Sequence, residues 1–344
     1  LSRAAAAPLQ TDKKPKAFRI TTALGVGIGA DEKDPLLLAQ ISGSEAVSQP
    51  YAFELTVVQR KKTDGDADRP AIDPRDLLNT DVTFGISSTE NDGQFFDWIE
   101  RHGTIDHFEE LADTPSDARG IGFRCYVMRV VPRFRLLERE RTFRVFENMD
   151  VLSVIRAVFQ AQGEIPADYL ILQMEDSKFP PMPYCVQFGE DSLTFVSRLM
   201  AQFGLWYFFF HDHERDTEQM ILGRGRARPR GETATLFRSD APEQRQVSGY
   251  RRIFSPAPKR VNVGEFNPLD PTDPFQGSEK IADRYDIAVK NNVHTPGRFQ
   301  HRIFPGSFLS NEGMRGEATQ RMQSGEAAVF TATGQSKNRR LRAG

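Results

Sequence analysis

Pro183–Phe210, PYCVQFGEDSLTFVSRLMAQFGLWYFFF, reads as strand, capped helix and strand with almost no spare residues. Between Asp191 and Phe203 the apolar residues Val196, Leu199, Met200 and Phe203 recur at helical spacing. Asp191 or Ser192 stands where it can cap the first turn, and Gly204 where a left-handed C-terminal residue is wanted. Leu205 to Phe210 is an unbroken aromatic and aliphatic run, too short for a second helix and suited to a pleated surface. It is expected to be a strand buried on both sides, with its rings filling a core rather than stacking on a cofactor.

Outward from this block the chain changes character several times. Residues 1–17 are small, polar and bear Lys and Pro, which predicts a poorly ordered lead-in. From 18 to 142 the text is β-like. Tyr51, Phe53, Leu55 and Val57 alternate with Ala52, Glu54, Thr56 and Val58, and short runs recur at Leu36–Ile41, Val82–Ile86, Phe95–Ile105 and Phe123–Val131. Charged or turn-rich breaks at Lys61–Pro70 and Asp113–Gly120 predict a closed or nearly closed first β-barrel.

Residues 143–225 form an expected α/β insertion. Val151, Leu152, Ile155, Val158 and Phe159 give a second amphipathic helix, with Asn148 or Asp150 as cap and Gly163 as stop. Residues 226–312, rich in Gly, Pro and charge, predict extended arms and irregular strands, Ile281–Val289 among the few apolar runs. Residues 313–344 read as a linker that starts helix-like, then a strand at Ala327–Thr333 that begins to complete a second barrel.

A chain of 344 residues exceeds what one core usually serves, so two or three domains are expected. With 45 basic against 47 acidic side chains, nothing in the balance selects nucleic acid or a membrane surface. Cys125 and Cys185 lack metal-ligand spacing and read as small buried hydrophobes of a reducing compartment; a disulfide between them has no support. Leu1–Pro8 lacks the apolar stretch of a secretory signal, and no window reaches the length of a membrane span.

Four clusters invite a chemical reading, and each misses a physical requirement. Gly25-Val26-Gly27-Ile28-Gly29-Ala30 matches a loose dinucleotide pattern, but Asp31–Pro35 leads into a β-like run, leaving no helix N-terminus to hold a pyrophosphate. A glycine turn between two strands is expected instead. Asp64, Asp66 and Asp68 alternate like a calcium loop, yet Arg69 and Arg75 stand where the glycine and the bidentate glutamate belong, so a solvated hairpin is expected. His211-Asp212-His213 follows a buried strand and has no evident third metal ligand, with His102 and His107 expected elsewhere. Arg224, Arg226, Arg228 and Arg230 make a basic loop without interleaved aromatics, a solvated or partner-docking arm. No nucleophile elbow, activated cysteine or paired-carboxylate helix is present. No catalytic, cofactor-binding or metal-binding residue is assigned, and no cofactor is expected.

The 183–210 block resembles the VgrG proteins of bacterial type VI secretion, spike-base hubs related to the baseplate hub of contractile phage tails. The resemblance extends to Phe18–Thr22, Leu37–Glu45, Ser48–Leu55, Phe143–Val151 and Ala318–Arg342. It departs at Phe188-Gly189, where the family usually has Tyr, and in the Arg-rich loop.

The resemblance implies a mainly β chain with an α/β insertion, an α+β fold of two related small β-barrels plus the inserted strand-helix-strand domain. It further implies a non-enzymatic homotrimer that adapts a threefold spike to a sixfold tail tube. The implied partners are the hexameric tail-tube protein, baseplate proteins, a spike-tip protein and effectors, with neither nucleic acid nor a membrane anchor. Assembly is expected in the bacterial cytoplasm without a signal peptide, followed by injection on contraction. Family members continue into an oligonucleotide/oligosaccharide-binding fold and a needle-like β-helix, so a truncated chain is expected. Three alternatives stay open: the hub of a phage tail or extracellular injection device, a metal-dependent enzyme built on His211, Asp212 and His213, and a monomeric ligand-binding β-protein.

Overall fold

The computed structural model of the chain describes residues 18–28, 35–62, 67–91, 94–113, 122–174, 178–224, 247–256, 258, 260–267, 272, 274–280, 300–304, 306, 310–327, 329–336 and 343. Its first part is one curled antiparallel sheet. β1 (Phe18–Thr22), β2 (Gly25–Ile28), β3 (Leu37–Ala46), β4 (Gln49–Arg60), β5 (Asp81–Asn91), β6 (Gln94–Leu111) and β7 (Phe123–Val131) lie in the order β2-β1-β5-β6-β7-β4-β3. The alternation in β4 puts Leu55 and Val57 into a core with Ile20, Leu36, Phe84, Ile105 and Met128. The outward side of β4 is not fully solvated. Val58 packs there against Leu37 and Cys125 in a small separate cluster.

The glycine segment corrects one expectation. The turn falls on Ala23–Leu24, and Gly25–Ile28 is itself a strand paired with β1, Thr22 opposite Gly25. Gly25 has φ 125°, a conformation only glycine adopts readily, so it is the residue at which the chain leaves the turn. Residues 29–30 of the glycine pattern and 31–34 after it lie outside the described residues, as do 63–66 of the acidic loop, though Lys62 and Asp68 form a bridge across that loop.

The middle of the chain runs β8 (Arg141–Met149), α1 (Val151–Gln162), β9 (Leu170–Gln173), β10 (Met182–Asp191), α2 (Ser192–Gln202), β11 (Leu205–Asp212) and β12 (Thr217–Arg224). Both helices start on aspartates. Asp150 accepts from the amides of Leu152 and Ser153, and Asp191 from that of Thr194 at 2.8 Å. Gly163 and Gly204 stand just beyond the helix ends at φ 69° and 65°. The apolar stripes of α1 and α2 close on Phe134, Tyr207, Phe209, Met220 and Leu222 in a single core. β11 is antiparallel to β12, which in turn runs parallel to β9, so β12 is the central strand. β11 is largely buried, with His211 beyond Phe210 buried too, but Phe210 is exposed and Trp206 half-buried, so the face these two share is the less covered one.

Among the described residues of the last part, the strands expected within 226–312 are regular and paired. β13 (Val247–Phe254) pairs with β17 (Phe330–Ser336), while β14 (Arg260–Glu265) lies between β15 (Phe275–Lys280) and β16 (Gln300–Ile303). α3 (Asn311–Ala327) is longer than the helix-like start expected there: Met314, Ala318 and Met322, spaced four apart, form a narrow stripe on Val261 and Val263. Ile281–Val289 lies outside the described residues.

A buried carboxyl joins the curled sheet to the inserted unit. Glu218 on β12 is 3% exposed. Its Oε1 accepts from the Arg133 amide at 2.6 Å and from the Tyr169 hydroxyl at 3.0 Å, and the Tyr169 oxygen in turn accepts from the Phe134 amide. Its Oε2 meets the Tyr51 hydroxyl, which also lies 2.6 Å from the His102 carbonyl oxygen. One hydroxyl hydrogen cannot serve two acceptors. If Tyr51 donates to the carbonyl, Glu218 must carry the hydrogen that links it to Tyr51. Burial agrees, raising the Glu218 carboxyl to about 7 against the opposing pull of its donors.

Two expected outcomes follow from these contacts. Because the folded pKa lies above the ordinary 4.5, the Glu218 contribution to stability is full below about pH 4.5 and is lost as pH rises through about 7. Glu218→Gln, which keeps the neutral hydrogen-bond pattern, removes this loss. Urea melts of the two proteins between pH 5 and 8 should diverge by roughly 3 kcal/mol, whereas parallel curves would mean the carboxyl is ionised throughout. Asp191→Ala, which removes the α2 cap, should cost about 1 kcal/mol in the same assay.

Candidate functional site

The feature that calls for a partner is a two-stranded ribbon. β8 and β10 pair antiparallel with Phe143 opposite Phe188, Val145 opposite Val186 and Glu147 opposite Tyr184. Side chains in a strand alternate between faces, so these six residues share one side. That side is bare: Phe188 is 79% exposed, Tyr184 71%, Phe143 70% and Val145 60%. The Phe143 and Phe188 rings meet edge to face at 5.2 Å. The opposite face carries Phe146, stacked on Phe195, and Cys185, both packed on the core of the inserted unit. The expectation that the aromatics of 183–210 fill the core thus holds for Phe195, Phe203, Tyr207 and Phe209 but not for Tyr184, Phe188 or Phe210. Apolar residues alternating on both faces were the available signal. Among the described residues β8 and β10 pair only with each other, leaving both outer edges open.

The histidines are arranged differently from the sequence expectation. His102 does not lie apart from His211 and His213; its ring centroid is 6.0 Å from that of His211 and 5.7 Å from that of His213. His211 is buried, and its Nδ1 accepts from the His102 amide at 3.0 Å. His213 lies beyond the end of β11, in the turn that Asp212 shapes by accepting from the amides of Glu214 and Arg215. Glu100, two residues before His102 on β6, joins the same group: one ligand atom each from Glu100, His102 and His213 lie within 4.8 Å of one another. His211 is not in this group, and His107 is exposed further along β6. Burial, reinforced by the charge of His213, lowers the His102 imidazole to about 4, so it is neutral at physiological pH.

The remaining candidates carry no chemistry of this kind. Arg75 pairs with Asp73 on the surface, and Arg224 lies over the Phe179 ring at 4.7 Å. Arg226, Arg228 and Arg230 are outside the described residues. Cys125 and Cys185 are free and buried in separate clusters, and burial raises the Cys185 thiol, which makes it a poor nucleophile. A cleft of about 940 Å³ between β10, α2 and α3 is lined by Phe179, Arg198, Phe203 and Gln320 among others. No described helix is long and apolar enough to cross a membrane.

Comparison with known proteins identifies the arrangement. The chain is 28% identical over 184 residues to the type VI secretion system spike protein VgrG1b of Pseudomonas aeruginosa, covering 52% of this chain and 21% of that protein. To VgrG5 of the same organism it is 26% identical over 279 residues, covering 79% and 32% respectively. The chain therefore spans about a third or less of the length of these relatives. A tail protein of Neisseria meningitidis superposes with a TM-score of 0.57 at 13% identity, covering 92% of this chain and 79% of that one. The E. coli c3393 protein, described as a component of the type VI secretion system similar to bacteriophage T4 gp27 and gp5, superposes with a TM-score of 0.52 at 23% identity, covering 65% and 54%. These superpositions share the fold described above, mainly β with a curled sheet and an inserted α/β unit. The family model for the phage tail baseplate hub (GPD) matches residues 44–344, and the chain belongs to that family.

Proposed function

We propose that this chain is the hub segment of a type VI secretion spike protein, a non-enzymatic trimer that adapts a threefold spike to the sixfold tail tube. The family match across residues 44–344, through both β-units and the insert, carries the reading. The similarity to Pseudomonas aeruginosa spike proteins favours secretion over a phage tail as the setting. In this reading the first barrel occupies 18–142, the insert 143–225, an arm region 226–312, and 313–344 leads back to the second barrel. The assembly forms in the cytoplasm and is expelled with its effectors on contraction, against a tail-tube hexamer, baseplate proteins and a spike tip.

The exposed ribbon is the contact this role requires. A face holding Phe143, Val145, Val186 and Phe188 costs free energy in water, and burying each large side chain returns about 1.5–3 kcal/mol. Its occupant in this reading is a neighbouring subunit of the trimer. A stable monomer with the ribbon in water would instead favour a ligand-binding β-protein.

The test replaces the apolar pair without breaking the ribbon. Phe143→Lys with Phe188→Glu puts opposite charges at directly paired positions, which preserves strand pairing while removing the apolar surface. In the full-length protein, sedimentation should show a trimer for the wild type and at least roughly tenfold weaker association for the double variant, with an unchanged circular dichroism spectrum. An equally stable trimer in the variant would remove the ribbon from the interface.

A further inference from the structure

We propose that Glu100, His102 and His213 bind a divalent transition cation of the zinc class, which pins the outer face of β6 to the turn between β11 and β12. The inference rests on the geometry of these groups and is independent of the hub reading.

Glu100 and His102 are two apart on β6 and therefore share a face, opposite Gly85 and Thr83 of β5. The β11–β12 turn brings His213 over that face. His213 Nδ1 and Glu100 Oε2 are 3.4 Å apart. A tetrahedral zinc site, with bonds of about 2.0–2.1 Å, holds its ligand atoms about 3.3 Å apart, so this pair already has the required spacing.

His102 supplies the second observation. It is 2% exposed, and its Nε2 is buried with no hydrogen-bond partner. Its other nitrogen, Nδ1, lies 2.9 Å from the Thr83 hydroxyl oxygen. With the hydrogen on Nδ1 donated to Thr83, Nε2 keeps its lone pair and is the nitrogen available to a cation. Histidines that ligate metals are oriented by such a contact on the far nitrogen. An orphaned buried nitrogen costs free energy that a bound cation would recover.

The donor set fixes the class of ion. Two imidazoles and one carboxylate suit zinc and its neighbours and are poor for calcium or magnesium, which take oxygen cages. Glu100 Oε1 is held by the Arg19 guanidinium, which also covers Trp98 at 4.9 Å. That contact orients the carboxylate with Oε2 toward the histidines. Its positive charge also opposes the cation, so the site should bind more weakly than a closed four-ligand site. With three protein ligands and a half-exposed His213, the fourth position faces solvent.

The test uses full-length protein stripped with a chelator and titrated calorimetrically with zinc chloride near pH 7.5. One zinc per chain is expected, accompanied by a rise in the thermal midpoint. His213→Ala, in an exposed turn where folding is spared, should weaken binding by roughly tenfold or more and abolish the thermal shift. Cobalt(II) should give a tetrahedral-type visible spectrum in the wild type and not in His213→Ala, and His107→Ala should behave as the wild type. Zinc affinity unchanged in His213→Ala, or no stoichiometric binding by the wild type, would overturn the proposal.

Discussion

The carboxyl of Glu218 is the point on which the two halves of the described core depend. It sits on the central strand of the inserted sheet and is held by the Arg133 amide, Tyr169 and Tyr51, the last of these on β4 of the curled sheet. Tyr51 also packs edge to face on Phe209, and Phe134 likewise on Tyr207, so aromatic rings surround the polar contact and keep water out. An acid in such a place is tolerable only when protonated or fully satisfied, and the hydrogen arithmetic at Tyr51 favours the protonated form. Polar networks of this kind fix orientation more than they add stability. What the contact supplies is a single fixed orientation of insert against sheet.

That junction also explains why the histidines converge. The His102 carbonyl accepts from Tyr51 and its amide donates to His211, so the backbone of β6 is pinned on both sides at this residue. The ring of His102 is left facing the β11–β12 turn, with Glu100 beside it. The same strand pairing thus builds the polar junction and gathers the proposed cation ligands.

Local rules were legible in the sequence wherever a single segment carries its own start, face and stop. Gly163 and Gly204 as stops and the stripes of α1 and α2 follow from spacing alone, which also narrows each cap to two residues, of which Asp150 and Asp191 make the contacts. The alternation of β4 was equally plain. What stayed hidden depends on distant pairing. His102 and His213 are far apart in the chain, and no local pattern announces that β6 runs beneath the β11–β12 turn. The full length of α3 is not legible beyond a helix-like start, because its glycines and polar residues dilute a stripe of only Met314, Ala318 and Met322. The ribbon is hidden for a third reason: an aromatic residue in a strand is usually core, and Phe188 becomes surface because the insert covers only one side of β8 and β10.

In the proposed role the chain acts through shape and contact, in keeping with its membership of the baseplate hub family. The ribbon is where that claim is most exposed to contradiction. The most direct measurement is an electron-microscopic reconstruction of the full-length protein assembled with its tail-tube partner. The account predicts a threefold ring stacked on a hexameric tube, with Tyr184, Val186 and Phe188 covered by a neighbouring subunit. A stable monomer with no affinity for the tube, its ribbon in solvent, would contradict it.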